Sequence, residues 1–253
     1  MIKIYSQKEI EKIAASGKIL ASILKELKKE AKIGTNLKDL DNLALKLSRR
    51  LGAEPAFFGY KPDGAKNSYQ ASICASLNNV VVHGLPVDYK LRNGDVLKID
   101  FGIKHQDFYS DAAITLAIGS VSKEANFLIK AAREALKNAI DIIKPGIFLG
   151  DIGWIIEKTA KKFKVNVIKN LTGHGIGKNL HEEPTIYNFG EKGSGALLKS
   201  GMVLAIEPMF AIGAGEIIQK KDESWATADG SLSAHFEHTV AVMENGSLVL
   251  TEF

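Results

Sequence analysis

One short segment of this chain occurs twice, and the repeat restricts the folds that the chain can adopt. Gly94-Asp-Val-Leu-Lys-Ile-Asp100 aligns without gaps with Gly201-Met-Val-Leu-Ala-Ile-Glu207. Each copy ends on an acidic residue and follows a His-Gly pair, at His83 and at His174. In each half, two helical patterns precede the segment and further strand-like runs surround it. Agreement between motif and element order predicts two similar α/β halves related by pseudo-twofold symmetry.

Hydrophobic periodicity predicts where the elements lie. Apolar residues spaced three and four apart predict helices at 6–33, 36–51, 122–145 and 149–163. Candidate N-caps precede or begin the first three helices: Ser6 (with Glu9), Asn36 and Ser122. Strands are predicted at 95–103, 108–118, 165–171, 202–212, 216–219 and 235–243, a buried strand or hairpin at 70–82, and an irregular loop at 52–69. Because no linker interrupts this order, we expect one catalytic domain over 1–253, with the repeat boundary near 120.

Composition excludes several classes of protein. The chain has 253 residues, is 45% hydrophobic and carries a net charge of +4. Lys and Glu are interleaved, which favours a solvated surface over a direct nucleic-acid site. Cys74 is the single cysteine, so no intrachain disulfide can form and a reducing cytosol is expected. No apolar run reaches membrane-spanning length, so we expect a cytoplasmic protein without a membrane partner.

Four carboxylates mark the strand-like runs. They are Asp100, Asp111, Glu207 and Glu237. Strand alternation places each of them opposite the apolar face of its strand. Any one of them alone could simply face solvent, but four at matched positions of a repeat indicate that they converge. Converging carboxylates repel one another unless cations lie between them.

A histidine in a glycine-rich segment completes a set of metal ligands. His174 lies between Gly173 and Gly175, and such glycines permit close backbone approach. A lone histidine is more often structural, yet with four carboxylates it forms a hard ligand set suited to Mn, Fe, Co or Zn. The run 173–178 superficially resembles a phosphate loop, but it lacks the Gly-Lys-Ser/Thr ending. His235 falls on the same strand face as Glu237, although no spacing makes it a ligand.

Several motifs together resemble those of the type I methionine aminopeptidases. They are His83-Gly84, Val96-Leu-Lys-Ile-Asp100-Phe-Gly102, Tyr109-Ser-Asp111, Gly173-His-Gly-Ile-Gly177, His181-Glu-Glu-Pro184, Ile206-Glu-Pro-Met209 and Ser231-Leu-Ser-Ala-His-Phe-Glu-His-Thr239. The resemblance extends over essentially the whole chain. It implies the pita-bread (creatinase/aminopeptidase) fold, an α+β architecture whose antiparallel sheet is covered by helices. It also implies the short bacterial form without an N-terminal extension, and the interval from His181 to Glu207 leaves no room for the helical insertion of type II.

By this resemblance the chain is expected to remove the N-terminal methionine from nascent proteins and peptides, with a preference for a small second residue. Two divalent ions (Co, Mn, Fe or Zn) and a bridging water or hydroxide would carry out the hydrolysis. The implied metal ligands are Asp111 and Glu237 as bridges, Asp100 at one ion, and His174 with Glu207 at the other. Glu207 would also move the proton, His181 would stabilise the oxyanion, and His83 would contact the scissile amide.

The resemblance also implies a methionine pocket. Its residues would be Phe57, Tyr60, Tyr69, Cys74, His83, Leu180, His181 and Trp225. Phe57 stands where the family often has Cys, and Leu180 stands where it often has Phe. The loop 61–68 is longer than is usual in the family.

Two other functions remain open at this point. A proline-specific peptidase of the same fold, such as aminopeptidase P or prolidase, shares the five ligands but usually has a large N-terminal domain. A non-catalytic pita-bread binding module would typically have lost ligands, whereas all five are present here. The methionine aminopeptidase resemblance further implies a monomer whose partners are nascent polypeptide N-termini, which it could meet at the ribosome.

Overall fold

The computed structural model describes residues 1–61 and 66–252. Residues 62–65 of the loop 61–68, which the sequence predicts to be longer than usual, lie outside the described residues. In the described ranges, no helix combines the length and apolar character that a membrane crossing requires.

The predicted helices are all present. They are α1 (Gln7–Glu30), α2 (Leu37–Arg50), α3 (Lys123–Asp141) and α4 (Leu149–Phe163). The predicted caps function as expected, since Asn36 accepts a hydrogen bond from the Lys38 amide and Ser122 from the Ala125 amide. Helix α1 ends three residues before its predicted end, because Ala31 leaves helical geometry.

Two strands, Val96–His105 and Phe108–Ala117, have 10 residues each, and the other strands of the described residues are shorter. They are β1 (Glu54–Pro55), β2 (Cys74–Leu77), β3 (Val80–Val82), β4 (Val96–His105), β5 (Phe108–Ala117), β6 (Asn166–Val167), β7 (Thr172–Gly175), β8 (Glu182–Tyr187), β9 (Val203–Ile206), β10 (Met209–Ala211), β11 (Ile217–Gln219), β12 (Trp225–Thr227), β13 (Ser233–His235), β14 (Glu237–Met243) and β15 (Gly246–Val249).

The main sheet is antiparallel, and its centre reflects the sequence repeat. Its order is β1-β4-β5-β14-β9-β7-β8, with β2 on β4 and β15 on β14. The two copies of the repeated segment form β4 and β9. Each pairs with the acid-bearing strand of its own half, β5 or β14, and those two strands pair with each other in the middle. Two small sheets, β13-β10-β6 and β11-β12-β3, flank this arrangement.

Helices cover the apolar face of the sheet, as the alternation predicts. Ile99 and Phe101 of β4 and Leu204 and Ile206 of β9 are completely buried in the main hydrophobic core. Helix α1 packs on β4 and β5, while α3 packs on β13 and also reaches β9 and β14. Burial of this face leaves the opposite face of the same strands for the acidic residues.

Two predicted strands differ from those observed. Only Asn166–Val167 is extended in the predicted strand 165–171, and β7 begins just after that segment. The predicted strand 202–212 breaks at Glu207-Pro208, because a proline has no amide hydrogen for the ladder. Strands β1, β7, β8, β12 and β15 were not predicted, and β13 overlaps the predicted strand 235–243 only at His235. Glycine, proline and polar residues obscure the two-residue alternation in these segments, and β1 lies in the segment that was predicted to be an irregular loop.

Candidate metal centre

Strand register places two of the predicted ligands in one row across the sheet. Cys74 lies opposite Asp100, Asp100 opposite Ala113, and Ala113 opposite Glu237. Directly opposed residues on neighbouring strands project from the same face of a sheet. Asp100 and Glu237 therefore project from one face, separated by a residue whose side chain is a single methyl group.

A second row brings in the other half of the chain. His174 of β7 lies opposite Ala205 of β9, which lies opposite Thr239 of β14. The Thr239 hydroxyl donates to the Asp111 carbonyl oxygen at 2.8 Å and accepts from the Asp111 amide at 2.9 Å, so the row continues to β5. The small side chain of Ala205 again leaves space above the sheet into which longer neighbours can extend.

The predicted ligands from both halves meet in this space. One ligand atom each of Asp111, His174 and Glu237 lie within 4.8 Å of one another. Glu207, placed by the break after β9, brings its Oε1 to 3.5 Å from His174 Nε2. Asp100 joins the cluster through a side-chain contact with Asp111. The structure therefore brings together all five residues that the sequence singled out as ligands.

The carboxylates of the cluster all have raised pKa values, because burial and repulsion within the cluster disfavour their charged forms. Burial raises the pKa of Asp100 and that of Glu207 to about 7. Burial and the neighbouring carboxylates raise the pKa of Asp111 and of Glu237 well above their usual values. Three buried oxygens, Asp100 Oδ1, Asp111 Oδ1 and Glu237 Oε1, have no hydrogen-bond partner among the described residues. Unpartnered carboxylate oxygens beside an imidazole are the donor set that divalent metal ions prefer.

His235 belongs to the same cluster, although no ligand spacing in the sequence predicted it. Its Nε2 atom lies 3.4 Å from Glu207 Oε2 and 4.0 Å from Glu237 Oε2. The ring is buried, and within the described part of the chain neither nitrogen has a hydrogen-bond partner. Burial lowers the pKa of His235 to about 4, so the ring is neutral and can donate a lone pair. Its position two residues before Glu237, on the same face, was the available signal.

Lys98 is a second buried side chain to which sequence patterns assign no role. It lies two residues before Asp100 on the same strand face and is only 1% exposed. Its ammonium donates to the Asn78 carbonyl oxygen at 2.7 Å, and burial lowers its pKa. This contact ties β4 to the turn between β2 and β3.

Two further histidines border the centre. The rings of His181 and His174 meet edge to face with centroids 4.4 Å apart, and His181 Nδ1 lies 2.6 Å from the Tyr60 hydroxyl. His181 and His83 are both exposed to the cavity, yet the surrounding protein desolvates their rings. This desolvation, helped by His174 and His83, lowers the pKa of His181 to about 3. It also lowers the pKa of His83, which has a left-handed φ of 59°, to about 4. Both rings are therefore neutral at pH 7.

The carboxylates open into a cavity of about 1120 Å³. Most of the predicted methionine-pocket residues line it, namely Phe57, Tyr60, Tyr69, Cys74, His83, His181 and Trp225. Leu180 is the exception, because it does not line the cavity, although it is buried in the same hydrophobic cluster as Phe57 and Cys74. The apolar wall therefore adjoins the metal-ligand cluster.

Close packing fixes this wall. The rings of Phe57 and Tyr69 meet edge to face at 6.4 Å, and the Tyr69 hydroxyl lies within hydrogen-bonding distance of the Gly84 carbonyl oxygen at 2.9 Å. A Cβ atom at Gly102 would lie 2.9 Å from the Phe57 ring and 3.2 Å from Leu180. Glycine at this position therefore lets the sheet approach the wall directly.

Comparisons with known proteins agree with this geometry. The model of metallopeptidase family M24 matches residues 11–244. The methionine aminopeptidase of Aquifex aeolicus is 44% identical over 99% of both chains. The crystal structure of methionine aminopeptidase from Thermotoga maritima superposes with a TM-score of 0.96 at 41% identity, covering 100% of both chains. A prolidase from Pyrococcus furiosus shares the fold, with a TM-score of 0.77 at 23% identity, covering 99% of this chain and 65% of that one.

Proposed function

The chain belongs to metallopeptidase family M24 and has the pita-bread fold, and we propose that it removes the N-terminal methionine from newly made proteins and peptides. Relatives 36–44% identical over nearly the full chain are named methionine aminopeptidases. The observation that carries the proposal is the convergence of Asp111, His174 and Glu237 beside an aromatic-lined cavity. Such a cavity suits the soft, unbranched thioether of methionine.

The ligand set supports a centre for two divalent ions, with Co, Mn, Fe and Zn all compatible. Asp111 and Glu237, in the middle of the cluster, are proposed to be shared by both ions. Asp100 would complete one site, and His174 with Glu207 the other. When bound, such ions would make water a better nucleophile and draw electron density from the scissile carbonyl.

Glu207 is proposed to move the proton during hydrolysis. Its carboxylate lies between His174 and His235, at 3.5 and 3.4 Å, and its pKa is near 7. A group with such a pKa can accept a proton from water and return it to the departing amine at neutral pH. Asp100 has a similar pKa, so the position of Glu207 beside His174 and His235, and not its pKa, distinguishes it.

His181 is proposed to stabilise negative charge on the substrate carbonyl oxygen. If the Tyr60 hydroxyl donates to Nδ1, the proton of the neutral ring resides on Nε2, where it can be donated. A neutral donor of this kind stabilises an oxyanion without itself becoming a base. His83, at the same cavity, is proposed to contact the scissile amide.

Methionine selectivity is proposed to reside in the wall formed by Phe57, Tyr60, Tyr69, Cys74 and Trp225. A shallow site beyond the scissile bond would favour a small second residue. Beyond the site, we propose a monomeric cytoplasmic protein, with one catalytic domain over 1–253, that acts on nascent chains at the ribosome.

The direct test is release of methionine from the peptide Met-Ala-Ser by protein loaded with Mn²⁺, beside Leu-Ala-Ser and Ala-Pro peptides. Methionine-selective release is expected, and Glu207→Gln should lower kcat/KM by about 10²–10⁴, the range for a general acid–base group. Glu191→Gln, at an exposed position, is the matched control and should leave the rate unchanged. Cleavage of Ala-Pro with no methionine release would favour a proline-specific peptidase. A metal titration that detects no binding at micromolar metal would favour a non-catalytic binding module.

A further inference from the structure

The loop that delivers His181 is held by a buried carboxylate. Strands β7 and β8 meet where Gly175 lies opposite Glu182, and residues 176–181 form the loop between them. The side chain of Glu182 is only 5% exposed. A carboxylate so placed is stable only if its oxygens have hydrogen-bond donors or a cation beside them.

The donors come from the loop itself and from the N-terminal segment. Glu182 Oε1 accepts from the Asn179 amide at 2.8 Å and from the Lys3 ammonium at 2.7 Å. Glu182 Oε2 accepts from the Tyr5 hydroxyl at 2.7 Å. The same hydroxyl accepts from the Lys178 amide at 2.8 Å. Tyr5 therefore bridges Lys178, within the loop, to Glu182, the residue that follows the loop.

Tyr5 is itself fixed by the rest of the molecule. Its amide donates to the Gly201 carbonyl oxygen at 2.8 Å, and its ring is buried, edge to face with Phe108. A Cβ atom at Gly177 would lie only 2.3 Å from the Tyr5 ring, so the loop backbone rests directly on that ring. Burial and the Glu182 hydrogen bond raise the pKa of Tyr5, which keeps its hydroxyl a donor.

We propose that Lys3, Tyr5 and Glu182 form a clamp that positions His181 against the metal centre. His181 directly precedes Glu182, and its ring touches His174 and the Tyr60 hydroxyl. The clamp holds the loop at Lys178 and Asn179 and holds Glu182 just after it. Tyr60 contacts the His181 ring from the cavity side. The three clamp residues are positioning residues, since the action they have on the reaction passes through His181. This inference rests on the proposed role of His181 in hydrolysis.

Tyr5→Phe tests the clamp, because it keeps the buried ring and removes only the bridging hydroxyl. We expect kcat for Met-Ala-Ser to fall by about 10- to 100-fold, since a displacement of 1 Å can cost about 10² in rate. KM and the bound metal should change little, because neither the cavity wall nor a proposed metal ligand is altered. Tyr187→Phe is the matched control at a 52% exposed tyrosine of β8 and should leave kcat unchanged.

A double-mutant cycle separates positioning from general destabilisation. In a His181→Ala background, Tyr5→Phe should have almost no further effect on kcat, because the residue that it positions is gone. An equal loss in both backgrounds, or an unchanged kcat in Tyr5→Phe alone, would overturn the clamp. If Tyr5→Phe does not fold, Lys3→Met at the more exposed end of the clamp must show the same dependence on His181. An inactive wild-type protein would instead refute the proposed function.

Discussion

Glu207 and Asp111 are both buried carboxylates of the same cluster, but their neighbours differ. Glu207 lies beside two imidazoles, and its pKa is near 7. Asp111 is repelled by Asp100 and Glu207, which together with burial raise its pKa further. Asp100 shares a pKa of about 7 with Glu207, so the two neighbouring imidazoles distinguish Glu207 as the proposed proton carrier. Asp111, crowded by like charges, is proposed to act only as a metal ligand.

The hydrogen bond between Tyr60 and His181 provides a test at the scale of one atom. Tyr60→Phe removes the hydroxyl 2.6 Å from Nδ1 and leaves the tautomer of His181 unconstrained. We expect kcat on Met-Ala-Ser to fall by roughly fivefold to tenfold, equivalent to about 1–1.4 kcal/mol for one hydrogen bond. Steady-state kinetics with the Tyr187→Phe variant as control measure the effect. An unchanged kcat would mean that Tyr60 contributes only to the cavity wall.

Strand alternation predicted which acidic residues the structure brings together, whereas the methionine pocket was predicted from the family resemblance. Alternation along a strand determines which face an acid occupies, so Asp100 and Glu237 could be placed from sequence. Leu180 was expected in the pocket wall, yet it does not line the cavity, because the path of an irregular loop is not encoded by any period. His235 was left without a role because a single histidine on a strand face has no spacing rule.

At the scale of elements, the site depends on small residues between the ligands. Ala113 separates Asp100 from Glu237, and Ala205 separates His174 from Thr239. The helices, with their caps and long apolar faces, follow directly from sequence. Strands such as β7 do not, since Gly173 and Gly175 hide the alternation and only pairing with β9 makes the segment extended.

Close approach between β7 and β9 gives a stability prediction. A Cβ atom at Gly173 would lie 2.4 Å from the Ala205 carbonyl oxygen, and a backbone atom inside a sheet cannot easily move away. Gly173→Ala should therefore lower the free energy of unfolding by about 1–3 kcal/mol, the usual cost of overpacking. Urea unfolding measures it, with Ser200→Ala at an exposed position as control. Equal urea midpoints for the Gly173→Ala and Ser200→Ala variants would show that β7 and β9 can move apart without loss of stability.

At the scale of the whole molecule, the two halves build one centre at their junction. Asp100 and Asp111 come from the first half, while His174, Glu207 and Glu237 come from the second. The sequence repeat predicted this symmetry. In the order β4-β5-β14-β9, the two copies of the repeated segment are the outer strands, and the acid-bearing strands of the two halves pair between them. Residues outside the repeat, such as Lys3 and Tyr5, could not be connected to the site by sequence, since their contacts with Glu182 span 179 and 177 positions along the chain.

Metal binding should couple to pH through the stability of the entire fold. Asp100 and Glu207 have folded-state pKa values near 7, above those of an unfolded chain, so their contribution to stability is lost as pH rises through 7. His83, His181, His235 and His238, with pKa values of about 3 to 4, act in the opposite direction, mainly below about pH 7. The lowered pKa of Lys98 also opposes the trend, whereas the raised pKa values of Asp111 and Glu237 add to it. Because four carboxylates act against one ammonium, the Tm of the metal-free protein should fall between pH 6.5 and 8.

Added Mn²⁺ should reverse this trend, because metal binding requires the deprotonated carboxylates that repel one another without it. We expect the increase in Tm on adding Mn²⁺ to be larger at pH 8 than at pH 6.5, as measured by calorimetry at a fixed metal concentration. A metal-induced increase that is equal at the two pH values, or larger at pH 6.5, would contradict the proposal that these carboxylates hold the metal.

Anomalous X-ray scattering near the manganese absorption edge, from crystals of Mn²⁺-loaded protein, would test the proposed two-metal centre most directly. Two peaks are expected, both in contact with Asp111 and Glu237, one also with Asp100 and the other with His174 and Glu207. No peak within the cluster, or a single peak held by His235 with Glu207 and Glu237, would contradict the two-metal centre.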